Sequence, residues 1–250
     1  MKYFIDTEFI EDFHKPRFGK RRHFIDLISI GIIAEDNRTY YAISNEFDLK
    51  AVWNKYDLKP DIDNGGMKKV YWLRENVLKS IYNKIWHDNI HYGLGEFFDM
   101  EFSYKSFKSL LKSFGKSNKQ IAEEVEWFIR RNHHVNCTTN ELVDDKTHQP
   151  VSFYGYYADY DWVLFCSLFG RMIDLPDGFP MYCIDLKQML DEKCKTYSVL
   201  DDKNLMVEFK GVMPEGNIKL HLRYPKQTNE HNALSDAKWN YELYKFLNIL

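Results

Sequence analysis

The sequence predicts an α/β fold: a mixed five-stranded sheet flanked by helices, with the first strand at its centre. Three observations predict it. Tyr3-Phe4-Ile5 is an apolar run that leads directly into Asp6 and Glu8. Two further strand-like segments follow at once, Phe24 to Ala34 and Thr39 to Ser44, around the turn Asp36-Asn37-Arg38; together these make a three-stranded meander. Strands then alternate with helical segments to the end of the chain, the pattern of a sheet covered by helices.

The first strand carries the chemistry. Residues two apart on a strand share a face, so Asp6 and Glu8 converge on one point. Two like charges about 4 Å apart repel by about 4 kcal/mol at an effective dielectric near 20. A bound divalent cation is the usual remedy. Directly after them come Phe9, Ile10, Glu11 and Asp12, then a basic, aromatic stretch. From His14 to His23 it holds Lys15, Arg17, Phe18, Lys20, Arg21 and Arg22 and no acid. It reads either as a holder of a phosphate backbone or as a solvated surface loop.

The next segments are less regular. Asn64-Gly65-Gly66 breaks the chain, and Lys68 to Ile81 reads as a short helical segment. Trp86, Phe97, Phe98, Phe102 and Phe107 make an aromatic stretch interrupted by Gly93 and Gly95. His87 and His91 have i,i+4 spacing, but without a third ligand a surface or capping role is the default. Ser117 to Arg131 reads as a helix, with Ser117 and Gln120 as a capping box and Ile121, Val125, Phe128 and Ile129 at helical spacing. His133, His134 and Cys137 fall in a polar loop and lack a fourth metal ligand.

Val151 to Tyr157 reads as a buried strand and Trp162 to Phe169 as an apolar helical run ended by Gly170. Asp161 falls at their junction and is the third carboxylate site. Met181 to Ile184 reads as the fifth strand. Leu205 to Phe209 and Ile218 to Leu222 read as a hairpin around Pro214-Glu215-Gly216. In the last helical segment, Glu230 to Leu247, the apolar stripe is Leu234, Ala237, Tyr241 and Tyr244. Asp236 lies off it, on a polar line with Asn232 and Asn240. His231 precedes Asp236 by five positions, a rotation of about 140° on a continuous helix. The two share a site only if His231 stands on the loop before the helix.

Composition sets the class. A chain of 250 residues makes one large domain or two small ones, and 44% apolar with 28% charged residues is ordinary for a soluble globular protein. The net charge of −3 argues against a generally basic nucleic-acid coat and leaves room for local patches. The high aromatic content, 16%, serves core and stacking surface. The four cysteines form no Cys-x-x-Cys pair, which argues against a disulfide framework or a zinc knuckle. Cys166 and Cys183 read as core thiols. No signal peptide or apolar run of membrane length is present. The reading is a cytoplasmic protein with no membrane partner.

Asp6, Glu8, Asp161 and Asp236, with His231, thus stand at strand ends and helix starts. The β-β-β-α-β-α-β-α order is that of the ribonuclease H-like fold. Asp6-x-Glu8, Tyr160-Asp161 and His231-x-x-x-x-Asp236 resemble the three motifs of the DEDD 3′–5′ exonuclease superfamily. The histidine five before the last Asp marks its histidine subgroup, DEDDh; the tyrosine subgroup has Tyr where this chain has Asn232. Tyr3 to Asp12, Leu27 to Asp36, Tyr40 to Asp48, Leu73 to Leu78 and His231 to Ala237 resemble the bacterial exoribonuclease AS enzymes, which favour adenosine-rich RNA 3′ ends. The resemblance covers most of a single domain over 1–250 and leaves insertions at about 13–23, 82–113 and 192–229.

What the resemblance implies is specific. The substrate is the 3′ end of single-stranded RNA, shortened to nucleoside 5′-monophosphates. Two Mg2+ or Mn2+ ions sit on Asp6, Glu8, Asp161 and Asp236, with Asp6 spanning both. His231 is the general base. Beside the resemblance, Phe9 and Ile10, which directly follow the acidic pair, and Trp162 are candidates for the terminal base or sugar, with core packing the alternative for Phe9 and Trp162; Arg17, Arg21 and Arg22 are candidates for upstream phosphates. A homodimer is also implied. The alternatives are a DNA 3′–5′ exonuclease, which shares every catalytic residue, and a nucleic-acid-binding module without chemistry.

Overall fold

The central strand buries Tyr3, Phe4 and Ile5 completely. Alternation sends Tyr3 and Ile5 to one face of the sheet and Phe4 to the other, and helices cover both. The structure, a computed structural model, describes residues 1–14, 18–91, 101–130, 150–196, 199–200, 206–207, 218–219 and 221–249. In chain order its elements begin with β1 (Lys2–His14), β2 (Arg22–Ala34), β3 (Thr39–Ser44), α1 (Leu49–Asn54), β4 (Asp57–Pro60) and β5 (Met67–Val70). A π-helical stretch, Leu73–Leu78, runs into α2 (Lys79–His91), followed by α3 (Tyr104–Phe114), β6 (Gly115–Lys116) and α4 (Asn118–Arg130). The second half holds β7 (Ser152–Gly155), α5 (Asp159–Phe169), β8 (Ile184–Asp185), α6 (Leu186–Thr196), β9 (Val199–Leu200), β10 (Met206–Val207) and α7 (Ala233–Leu247).

The main sheet has the order β6-β3-β2-β1-β7-β8. β1 is central, antiparallel to β2 and parallel to β7. This is the mixed, ribonuclease H-like sheet that the sequence predicts. Four predicted strands appear as β1, β2, β3 and β7; the fifth, predicted over Met181 to Ile184, is only the two-residue β8, Ile184–Asp185, and the two-residue edge strand β6 is a sixth, too short to leave an alternating pattern in the sequence. On one face Tyr3, Ile5, Ile30 and Ile32 pack against Ile121, Val125, Leu164 and Phe165 of α4 and α5. On the other, Phe4 and Ile33 pack against α6 and α7.

Three predicted segments differ. Lys68 to Ile81 does not form one helix. Gly65 and Gly66, both at positive φ, turn the chain so that β5 pairs with β4, and helix begins only at Leu73. β10 pairs with β9 rather than with residues near Ile218, which begin a short helical turn; Pro214-Glu215-Gly216 lie outside the described residues. The basic stretch after Glu8 is less loop than expected. β1 and β2 stay paired out to His14 and Arg22, with the Phe13 and His23 rings 5.5 Å apart across the ladder.

Two local features set the site. Glu8 pairs with Ser29 and Phe9 with Leu27, so Ile28 is the extra residue of a β-bulge. A bulge sharpens the twist of the pair just where β1 leaves the acidic pair. Gly31 lies opposite Asp6. A Cβ there would stand 2.3 Å from the Ala233 carbonyl carbon and oxygen and from the Leu234 nitrogen. Only glycine lets the start of α7 settle this close to β2. Gly31→Ala is expected to cost about 1–3 kcal/mol, the range for overpacking, read from urea unfolding. An unchanged midpoint would show that α7 docks without this contact.

Candidate active site

β7 pairs with β1 only as far as Phe4 and Tyr154. Beyond that the two strands part, and backbone groups on that edge of β1 need other partners. Asn240, 1% exposed, donates its Nδ2 to the Ile5 carbonyl at 2.9 Å. Asp161 Oδ1 accepts from the Thr7 amide at 2.8 Å and from Thr7 Oγ1 at 2.6 Å. One side chain from α7 and one from α5 thus replace the missing strand. The crevice they close holds the acids.

Asp6, Glu8 and Asp236 each offer a carboxylate oxygen within 4.8 Å of the others. Asp6 and Glu8 share a face of β1; Asp236 arrives from the first turn of α7. Its Oδ1 accepts from Gln227 Nε2 at 2.7 Å and its Oδ2 from the His231 amide at 2.8 Å. His231 stands before α7 with φ +66°, and Asn232 caps the helix through the Ser235 amide. The turn satisfies the condition set by the sequence: histidine on the loop, aspartate in the helix. The polar line Asn232, Asp236, Asn240 is no solvent face. All three are buried, turned to the cap, the acidic centre and β1.

The charges are costly where they stand. Asp6 is held well above the ordinary carboxyl range by burial and then by Asp161, Glu8 and Asp236. Glu8 is pushed up to about 8 by burial, Asp236 and Asp161. Asp161 rises to about 6, its burial and the Asp185 charge outweighing the Thr7 hydrogen bonds. Asp236 is raised too, mainly by burial. Three hard oxygen donors at this spacing fit a divalent cation.

The other predicted residues are scattered. Phe9 lines a cleft with Glu8, its ring 5.6 Å from Tyr160. Ile10 is fully buried against Ile28, Ile43 and Val52; that makes it core rather than a nucleotide contact. Trp162 is also part of the packing, stacked on Phe165 at 5.1 Å and against Phe153 at 5.3 Å. Arg21 and Arg22 are exposed at the end of the β1–β2 hairpin. Arg17, His133, His134 and Cys137 lie outside the described residues, as do the side chains of His87 and His91.

Some neighbours escaped the sequence reading. Trp72 meets the His231 ring edge-on at 4.6 Å. Thr7 and Gln227 orient two of the acids, and Asp185 caps α6 through the Lys187 amide at 2.6 Å. The π-helix behind Trp72 coincides with the Leu73 to Leu78 motif, but nothing in its spacing announces a π-turn. Cys166 is a buried free thiol, pushed up to about 11 by burial, as a core cysteine should be. Among the described residues no helix is long and apolar enough to cross a membrane.

Strand order and an acidic crevice at the central strand define a ribonuclease H-like protein of the nuclease type. Comparison with known proteins narrows this: the chain belongs to the family described as 3'-5' exoribonuclease Rv2179c-like domain, whose model matches residues 1–247. Two relatives from Mycobacterium tuberculosis are each 26% identical to it over 196 residues, 77% of this chain and 76% of theirs. They are the 3'-5' exoribonuclease MT2234.1 of strain CDC 1551 / Oshkosh and the 3'-5' exoribonuclease Rv2179c of strain ATCC 25618 / H37Rv. The protein is therefore an enzyme of the 3′–5′ exonuclease kind.

Each raised carboxyl holds its proton more tightly in the folded than in the unfolded chain. The stability this brings is fully present below the ordinary carboxyl range. It is lost as pH rises through the folded values, for Glu8 from 4.5 to about 8. Chelator-treated protein should therefore lose melting temperature across that window, and added Mg2+ or Mn2+ should restore it by binding the native state. A melting temperature that climbs across the same window without metal would contradict the site as described.

Proposed function

We propose that the protein is a metal-dependent exoribonuclease of the DEDDh type, hydrolysing single-stranded RNA from its 3′ end to nucleoside 5′-monophosphates. The observation that carries this is the convergence of Asp6, Glu8 and Asp236 within 4.8 Å in a chain of an exoribonuclease family. Asp6, Glu8, Asp161 and Asp236 would hold two divalent ions, Mg2+ or Mn2+. Such ions, when bound, offset the carboxylate and phosphate charge and make water a stronger nucleophile.

The chain's own residues do the rest. His231 takes the proton of the attacking water. A neutral imidazole is a competent acceptor near pH 7. Its backbone is anchored to Asp236 and its ring rests on Trp72, so the loop presents the base beside the acids. The 3′ oxygen leaves with the shortened strand. Phe9, at the mouth of the cleft next to Glu8, offers a stacking face for the terminal base, worth about 1–3 kcal/mol. Arg21 and Arg22 attract upstream phosphates; Arg17, next to them in sequence, is proposed for the same role.

The direct test is a time course on 5′-labelled RNA and DNA of one sequence with an adenosine-rich 3′ end, in Mg2+, in Mn2+ and in chelator. RNA should shorten from the 3′ end in metal only, and Asp6→Ala should abolish the ladder. A ladder on DNA alone would move the protein to the DNA exonucleases. Binding without any ladder would make it a binding module.

His231→Ala should keep RNA affinity and lose about 10²–10⁴ in turnover; equal turnover would remove the base from His231. Charge reversal at Arg21 and Arg22 should weaken RNA binding and flatten its salt dependence by about 0.7 log units per lost phosphate contact. An unchanged slope would return the hairpin end to an ordinary solvated surface.

A further inference from the structure

The cleft beside Glu8 has a volume of about 380 Å3 and follows β1 outward past Phe9 and Glu11. Its other wall is the foot of the β4–β5 ribbon, Tyr56, Asp57 and Val70. The ribbon pairs with no strand of the main sheet. Both its faces are largely exposed. A two-stranded ribbon alone is marginal in water, and this one covers none of the three apolar cores. Lys55 fixes its foot to β1: Nζ donates to the Glu11 carbonyl and pairs with Asp12 at 3.2 Å.

The register shows what the ribbon presents. Asp57 faces Val70 across the strands, and Lys59 faces Lys68. Residues two apart share a face, so the face whose foot lines the cleft continues outward into a pair of opposed lysines. Like charges directly opposite destabilise a ladder. Lys68 reaches Asp61 only at 3.9 Å, and that acid already accepts from the Asn64 side chain and backbone. Lys59 has no acidic partner among the described residues. Farther along β1, the β1–β2 hairpin carries exposed Lys20, Arg21 and Arg22 toward its end.

We infer that the β4–β5 ribbon is the second jaw of a groove for single-stranded RNA, with Lys59 and Lys68 holding phosphates upstream of the scissile bond. The inference rests on the exoribonuclease reading and extends it. Glu11 on β1 and Asp57 at the ribbon's foot line the cleft and repel phosphate. Glu11 is tied to His23 at 2.7 Å and to the Tyr160 hydroxyl at 3.2 Å. Phosphates therefore ride on the two basic rims, with riboses and bases between. β1 runs on the order of 20 Å from Glu8 to its end at about 3.3 Å per residue. A dinucleotide at the acids falls short of the hairpin end; a longer strand also passes Lys59 and Lys68, which lie outward of the cleft-lining Asp57 and Val70.

The test compares a dinucleotide with a decanucleotide of the same 3′ end, on wild type and on the Lys59→Gln/Lys68→Gln and Lys59→Glu/Lys68→Glu variants. For the glutamate variant the decanucleotide KM should rise about tenfold or more, and the dinucleotide KM far less. The glutamine variant should lower the salt slope of decanucleotide binding by about 1.4, two contacts' worth. An unchanged decanucleotide KM, or equal losses on both substrates, would overturn the inference. If wild type cleaves neither strand, the exoribonuclease reading fails by itself. Fluorescence anisotropy of the labelled decanucleotide then decides the groove separately: unchanged affinity in the glutamate variant overturns it.

Discussion

The structure is organised by electrostatic cost. Asp6, Glu8, Asp161 and Asp236 are gathered where a sheet opens, mostly out of water, and the charges of Glu8, Asp161 and Asp236 raise the proton affinity of Asp6. Two such charges about 4 Å apart repel by about 4 kcal/mol even at an effective dielectric near 20. A fold does not hold this arrangement by chance. It needs rigid backbone under each acid and, for the charge, either bound protons or a compensating cation.

The rigidity comes from groups with two uses. Where β7 leaves β1, the exposed edge is closed by Asp161 on Thr7 and by Asn240 on Ile5. Asp161 is both a hydrogen-bond partner of the sheet and a member of the acidic centre. Asn240 holds α7 to β1 one turn beyond Asp236. Gly31, opposite Asp6, removes the side chain that would keep α7 away. The bulge at Ile28 then redirects the hairpin, so that the half of β1 beyond Glu8 forms the wall of a cleft instead of more core.

Much of this was legible in the sequence. An apolar run ending in Asp-x-Glu, an aspartate at a strand-to-helix junction and a His-x4-Asp whose aspartate opens a helix point to acids that the fold brings together and to the order of the sheet. What escaped depends on contacts distant in sequence. Gly31 carries no sign of its close approach to Ala233. Asn240 looked like part of a polar line and is buried. Trp72 gained meaning only when His231 came to rest on it. Ile10 and Trp162 adjoin acidic residues in the chain, but the core claims their side chains. β6 has two residues, too few for any periodicity, and β5 falls inside Lys68 to Ile81, a segment rich in residues that suit a helix.

The central claim is that these carboxylates form a cation site in which Asp6 and Glu8, the two held furthest above the ordinary range, give up protons when the cation binds. Calorimetric titration of the chelator-treated protein with Mn2+ near pH 7, in two buffers of different ionisation enthalpy, measures it directly. Saturable binding with release of protons, lost in Asp6→Asn, is the predicted result. Absence of binding, or binding that releases no proton and survives Asp6→Asn, would contradict the account.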